Sequence, residues 1–217
     1  MAKIKKGDFV ELDYDGYIKD DHLLFDTTDE KKAKEHGIFS QKAEYGKIII
    51  CIGEHQILPG IDKFLEGKEP GKYEINLKAE EAFGKKDSKL LKLIPSSAFK
   101  KSEVKPMQGL QVNIDGMIGT IRSVNGGRII VDFNHPLSGK EIKYELKVDR
   151  IVDSDSEKVS AIVNLALGIN DSKAEIKEGK AQLRFGNASK LPAEIKKHLS
   201  ERISRLVGSV KETEFVE

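Results

Sequence analysis

The feature that most limits how this chain can fold is an alternation that stops and later resumes. Over residues 8–18, Val10, Leu12, Tyr14, Gly16 and Ile18 share one face, with mostly charged side chains on the other. A period of two marks a half-buried antiparallel strand. Tyr73, Ile75, Leu77 and Ala79 repeat it, and so, much later, do Tyr144, Leu146 and Val148. Between these stretches, residues 85–132 carry their own turn residues at Pro95, Pro106, Gly109, Asp115-Gly116 and Asn125-Gly126-Gly127. Residues 110–114, 118–124 and 128–131 read as strands among those turns. A sheet begun before residue 85 and resumed after 132 implies a small all-β domain set into one of its loops, which is tolerated where the insert's ends lie close.

The remaining elements follow from period and punctuation. Lys47 to Ile52 is a continuous apolar run ended by Gly53, the pattern of a strand buried on both sides. Ile57, Ile61, Phe64 and Leu65 then fall at helical spacing, with Pro59 near the start and Gly67 past the end, which predicts a two-turn helix. The long connection 29–46 is expected to hold a helical turn or bulge. From Asp153 the order becomes helix-strand-strand-helix-strand. Ser154 with Glu157 forms a capping-box pattern ahead of a stripe at Val159, Ile162, Val163 and Ala166. Glu178-Gly179 marks a hairpin, and Leu191, Ile195, Leu199, Ile203 and Leu206 form a second stripe. The fold class is therefore α+β: an antiparallel sheet half-wrapped around a short helix (1–84 plus 133–152), an inserted small all-β domain (85–132), and a C-terminal αββαβ domain (153–217).

Charge and composition remove several function classes. With 37 basic against 36 acidic side chains the chain lacks the surplus of a dedicated nucleic-acid binder. Lys31–Lys34 and Lys100-Lys101 read as solvated faces, with RNA contact as the alternative. Cys51, the sole cysteine, cannot form an internal disulfide and reads as a reduced core thiol, which predicts a cytoplasmic setting. Residues 1–7 lack the apolar segment of a signal peptide and no run reaches transmembrane length, so no membrane partner is expected. His22, His36, His55, His135 and His198 show no ligand spacing, and neither a metal nor another cofactor is expected. Aromatic and branched apolar side chains instead recur beside turns, and one carboxylate, Asp26, is framed by apolar neighbours. That is an inventory for an apolar pocket with a polar anchor, and rotation about an X-Pro bond needs little more.

Five segments, in order, carry a family resemblance: Leu12–Gly16, Leu24–Thr28, Gly53–Ile61, Glu81–Gly84 and Phe133–Gly139. Over roughly residues 3–152 they resemble the FKBP-type peptidyl-prolyl isomerases. The insertion between Ala82-Phe83-Gly84 and Asn134–Gly139 resembles the SlyD-like branch with its insert-in-flap domain, in a long archaeal-type form. The resemblance implies a prolyl pocket of Tyr14, Phe25, Asp26, Ile57, Leu58, Ile61, Phe83 and Tyr144, with Ile48 or Ile50 close by. Its implied roles are a Leu58 N–H that anchors the substrate carbonyl, and Asp26 and Tyr14 ordering the polar edge. Ile61 stands where many members place Trp, Phe83 where Tyr is common, and Tyr144 where Phe is more usual.

For the insert, the resemblance implies chaperone-like capture of unfolded chain by Ile94, Ala98, Phe99, Met107, Leu110, Met117 and Ile118. A module this small also needs most of them for its own core. The implied partners are unfolded or proline-containing polypeptides, and the alternative function is a non-catalytic holdase. Residues 153–217 match no motif. So small an element leaves a sheet face or edge needing cover, which predicts a homodimer through this domain, with docking on the first domain or client binding as alternatives.

Overall fold

The computed structural model describes residues 2–99, 105–186 and 188–216, so Lys100-Lys101 fall outside the described residues. The chain divides into two compact units, 1–77 with 141–217, and 78–140. The first unit opens with β1 (Phe9–Ile18), β2 (Leu23–Thr27), α1 (Glu30–Glu35), β3 (Ile48–Cys51), α2 (Pro59–Leu65) and β4 (Gly71–Leu77). The second contains β5 (Leu91–Pro95), β6 (Gln111–Ile114), β7 (Met117–Asn125) and β8 (Arg128–Asp132). The first then resumes with β9 (Ile142–Val152), α3 (Asp155–Leu167), β10 (Lys173–Lys177), β11 (Lys180–Arg184), α4 (Ala193–Leu206) and β12 (Glu212–Val216).

In the first unit β1 is central. It pairs antiparallel with β9 along its whole length, and β9 pairs with β4. Along its other edge β1 takes β3 at Phe9–Leu12 and β2 at Asp15–Ile18. The buried face carries Val10, Leu12, Ile18, Ile75, Leu77, Ile142, Leu146 and Val148, together with Ile61 and Leu65 of α2. Helix α2 begins at Pro59, whose missing N–H is no loss in the first turn. The connection 29–46 holds α1, capped by the Asp29 side chain accepting from the amides of Lys31 and Lys32.

The opposite face of β1 carries Phe9, Glu11, Asp13, Asp15 and Tyr17, of which Phe9 alone is buried, and the C-terminal elements explain why. Phe9 pairs with both Cys51 and Val152, and all three sit in one buried cluster with Val159, Ile162 and Val163 of α3, Leu183 of β11 and Ile203 of α4. The β3 run is thus covered on both faces because Ile49 and Cys51 face this layer while Ile50 faces the sheet's own core. Ser154 caps α3 by accepting from the Glu157 amide (3.4 Å), but the Glu157 carboxylate is held by Arg150, so the reciprocal half of the capping box is not made. β10 pairs antiparallel with β11, and β12 joins β11 in parallel. The sheet face away from the cluster carries Lys173, Glu175, Lys177, Gln182, Arg184, Glu212 and Glu214, so its apolar face is satisfied within the chain.

The second unit is a four-stranded antiparallel sheet in the order β5-β8-β7-β6. β5 is an element the turn pattern did not mark. The β6–β7 hairpin turns at Asp115-Gly116, both at positive φ (51° and 82°), where a residue pair of this type costs little. The unit is wider than the 85–132 expected because its two arms are zipped together. Gly139 N–H donates to Gly84 O (2.8 Å), Ser138 Oγ donates to Phe83 O (3.0 Å), and Asp87 N–H donates to Asn134 Oδ1 (2.8 Å). Its core is Ile121, Ile129 and Val131, with Ile94, Phe99, Leu110, Val112, Ile114 and Phe133 against it.

Candidate functional site

Three adjacent strands assemble the candidate site. Gly16 on β1 pairs with Asp26 on β2 and with Tyr144 on β9. The β1–β2 register slips beside Gly16, so that Gly16 faces Asp26 while Tyr17 faces Leu24 and Phe25 is the extra residue. A bulge of this kind re-aims side chains. Here the consecutive residues Phe25 and Asp26 line one cavity, which strict alternation forbids. A Cβ placed at Gly16 would lie 2.9 Å from Phe25 Cζ and 3.0 Å from Tyr144 Cζ. The absent side chain is what lets those rings meet edge-on, with centroids 5.9 Å apart at 88°. Tyr14 meets Tyr144 at 5.6 Å and 61°. Edge-to-face contacts favour the ring quadrupoles and hold each ring in place.

The cavity is about 290 Å³ and is also lined by Thr28, Ala33, Ile38, Tyr45 and Ile48. Burial pushes the Asp26 carboxyl up, while the Tyr14 hydroxyl and the Thr27 N–H act the other way by bonding its charged form. Burial and the Asp26 charge both push the Tyr14 phenol up, so it stays protonated and donates to Asp26. Tyr144 is pushed up too, first by burial and then by the same carboxylate. Thr28 braces this couple from behind: its hydroxyl accepts from Tyr14 N–H (3.0 Å), and its own N–H donates to Tyr14 O (3.0 Å).

The Gly53–Ile61 segment sits outside that cavity's lining. Its turn is pinned by Asp62, 4% exposed, which accepts from the His55 amide at 3.1 Å. Burial raises the Asp62 carboxyl, with the Gly53 and His55 amides opposing. Leu58 is the N-cap residue of α2, and its carbonyl accepts from Ile61 N–H (2.9 Å) and Asp62 N–H (3.2 Å). Among the described residues its own N–H makes no hydrogen bond within the chain. Ile57 and Leu58 are half-buried, whereas Ile61 is fully buried in α2.

Phe83 lies in the second unit, stacked flat on His135 with centroids 4.7 Å apart. The insert residues divide. Ile94, Phe99 and Leu110 pack on the module's core, whereas Met107, Met117 and Ile118 are exposed (60%, 41% and 68%), as is Ala98. Among the described residues no group of three or more His, Cys, Asp or Glu is placed to hold a metal ion, and no helix is long and apolar enough to cross a membrane.

A short-type peptidyl-prolyl cis-trans isomerase of Methanocaldococcus jannaschii is 32% identical over 155 residues, which is 98% of that protein and 71% of this chain. The chain belongs to the FKBP-type peptidyl-prolyl cis-trans isomerases. The family model of that description matches residues 1–105, and the model described as the FKBP26 IF domain matches residues 92–137. SlyD of Haemophilus influenzae is 27% identical over 113 residues, 50% of this chain and 59% of its own length. SlyD of Escherichia coli K12 is 26% identical over 117 residues, 50% of this chain and 57% of its own length. In this FKBP-type chain Gly16, Thr28 and Asp62 serve the site's geometry, yet residue type does not single them out. Gly16 sits at an alternating position that otherwise holds bulky side chains, and that was the one signal that could have found it.

Proposed function

We propose that the cavity lined by Tyr14, Phe25 and Asp26, with the Tyr144 ring packed against the first two, holds the proline ring of X-Pro bonds in unfolded or partly folded chains and catalyses their cis-trans isomerisation. The observation that carries this is the half-buried Asp26 carboxylate, bonded by Tyr14 and framed by edge-on rings. Amide rotation faces a barrier of about 18–20 kcal/mol because the planar form is resonance-stabilised. The planar carbonyl is also the better hydrated form. Moving the bond into an apolar, preorganised cavity therefore disfavours the planar state more than the twisted one. The Leu58 N–H is the donor we assign to the substrate carbonyl, with Ile57 and Ile61 beside it. No proton transfer is required, which fits a Tyr14 phenol held protonated.

Proline-limited refolding tests the assignment. Phe25→Ala and Asp26→Ala are expected to slow catalysis by about tenfold each, the equivalent of one buried contact or hydrogen bond of roughly 1.4 kcal/mol; unchanged rates would remove the pocket from the mechanism.

Asp26→Asn separates stability from activity. Because burial raises the Asp26 carboxyl in the folded state, its stabilising contribution is full at low pH and is lost as pH rises through that raised value. Asp26→Asn is thus expected to melt at a higher temperature than the parent at neutral pH, with the gap closing on acidification. Its refolding catalysis should fall. Thermal scans across pH check the sign.

For the second unit we propose chaperone-like capture of unfolded chain. Met107, Met117 and Ile118, with exposed Leu93 and Val124, support it, since large exposed apolar side chains mark interaction surfaces and Met adapts to varied partners. Deleting residues 86–131 is expected to reduce activity on unfolded protein substrates by about a hundredfold, the scale of losing a second binding arm, while sparing tetrapeptides. Equal loss on both would refute the division.

A homodimer through residues 153–217 is a further reading. It is supported by the outer edges of β10 and β12, which no strand covers among the described residues and which strands of a second copy can pair with. A monomer by light scattering at micromolar concentration would remove it. We assign the cytoplasm, supported by the single, buried and free Cys51 in a chain that therefore relies on no internal disulfide.

A further inference from the structure

A second, larger cleft adjoins the prolyl cavity within the first unit. Its volume is about 690 Å³, inside the range of roughly 300–1,000 Å³ that ligand clefts occupy. One wall is the run from Glu44 to Ile49; the other is α3 with the start of β10. Glu44, Tyr45 and Ile48 line both spaces, so one wall separates and connects them. Leu165, 37% exposed on α3, joins Ile49, Ala161 and Ile169 in an apolar lining. The Asn170 amide donates to the Glu44 carboxylate at 2.5 Å, tying the walls together.

The backbone beside the cleft is open. Among the described residues β3 pairs with β1 alone. The Ile52 amide donates toward the β1 side, to Asp8 O at 2.9 Å, whereas the Cys51 amide faces away and is taken by Gln56 Oε1 at 2.6 Å. Amides alternate in direction along an antiparallel strand. Two residues before Cys51, the Ile49 amide and carbonyl therefore face the same outer edge, next to the cleft that Ile49 lines.

We propose that this cleft is a subsite for the extended polypeptide flanking the proline. It rests on the reading of the neighbouring cavity as the prolyl pocket. A chain whose proline fills that cavity runs on past Tyr45 and Ile48 and lies along β3, paired to Ile49, with alternate apolar side chains against Leu165 and Ile169. Strand addition supplies backbone hydrogen bonds to any sequence, and the apolar lining selects what its alternate side chains are. Only an unfolded segment offers both unpaired backbone and apolar side chains at once. The rim mixes Lys47 and Lys173 with Glu44, Glu157 and Glu175, so both signs line it and neither dominates. The C-terminal layer thereby becomes part of the substrate-binding surface.

Steady-state kinetics of the full chain on two substrates test this: a proline tetrapeptide, and the same peptide extended on either side by about six residues of alternating apolar character, a typical strand length. In the parent the extended peptide should show the lower KM. Leu165→Glu, at an exposed position of α3, should raise that KM about tenfold (~1.4 kcal/mol) and leave the tetrapeptide kcat/KM unchanged, and Leu165→Met should restore it. Equal KM for both peptides in the parent, or a parallel loss on both in Leu165→Glu, overturns the subsite. No tetrapeptide turnover by the parent removes the pocket reading and the subsite with it, whereas turnover with no gain from extension removes the subsite alone. If Leu165→Glu dissociates a dimer on light scattering, the occupant is a second copy and the proposal fails.

Discussion

Gly16→Val is expected to lower kcat/KM on a proline tetrapeptide by about a hundredfold in a chain that still folds. The added Cβ falls 2.9 Å from Phe25 and 3.0 Å from Tyr144, and both contacts are the far ends of rings rather than backbone. The rings therefore move and β1 stays paired. Their movement closes the cavity and displaces the Tyr14–Asp26 couple that the same rings frame. Misplacing a site by about 1 Å costs on the order of a hundredfold in rate, about 2.7 kcal/mol. Overpacking should cost stability roughly 1–3 kcal/mol, which a thermal scan reads separately. Gly16→Ala should fall between the two, because a single methyl asks less of the rings. Full activity in Gly16→Val would show that the ring arrangement is not what catalysis depends on.

Ile162→Ala is expected to destabilise the isomerase sheet and the C-terminal layer together. Ile162 is fully buried in a cluster that takes Phe9 from β1, Cys51 from β3 and Val152 from β9 as well as Leu183 and Ile203. Removing a buried isoleucine to alanine typically costs about 2–5 kcal/mol, because the lost transfer energy is joined by a cavity. For a chain of this size that lowers the melting midpoint by roughly 10 °C. A shared core further predicts one cooperative transition, seen alike by far-ultraviolet circular dichroism and by loss of isomerase activity. Two separated transitions, with activity surviving the first, would show that residues 153–217 fold independently of the pocket.

The elements were largely legible because their signals are local. Period-two stripes marked β1, β4 and β9, Pro59 and Gly67 bracketed α2, and Ser154 opened α3. β5 was missed because Leu91–Pro95 contains Pro95 and lacks a clean alternation. The capping box at Ser154 was half right, since Arg150 competes for the Glu157 carboxylate and no local pattern shows that competitor. The site was legible as a set of residue types and not as a shape. The resemblance grouped Tyr14, Phe25, Asp26 and Tyr144, but the bulge that turns both Phe25 and Asp26 into one cavity depends on the register of two strands.

From the chain alone came the period, the breaks and the inventory: an interrupted antiparallel sheet, a short helix, an all-β module, and one carboxylate amid apolar and aromatic neighbours. These depend on residues close in sequence, where spacing and turn preference act directly. Tertiary structure decided which faces are covered. Of the cover expected for a C-terminal sheet face or edge, that of the face comes from the first domain, where Phe9, the one buried residue on its side of β1, packs with Cys51 and Val152 beneath α3. It also decided that Gly16 must lack a side chain, and that a second cleft opens beside β3. Each of these rests on contacts between residues far apart in the chain, and hydrophobic burial is blind to sequence distance: it depends only on which surfaces meet.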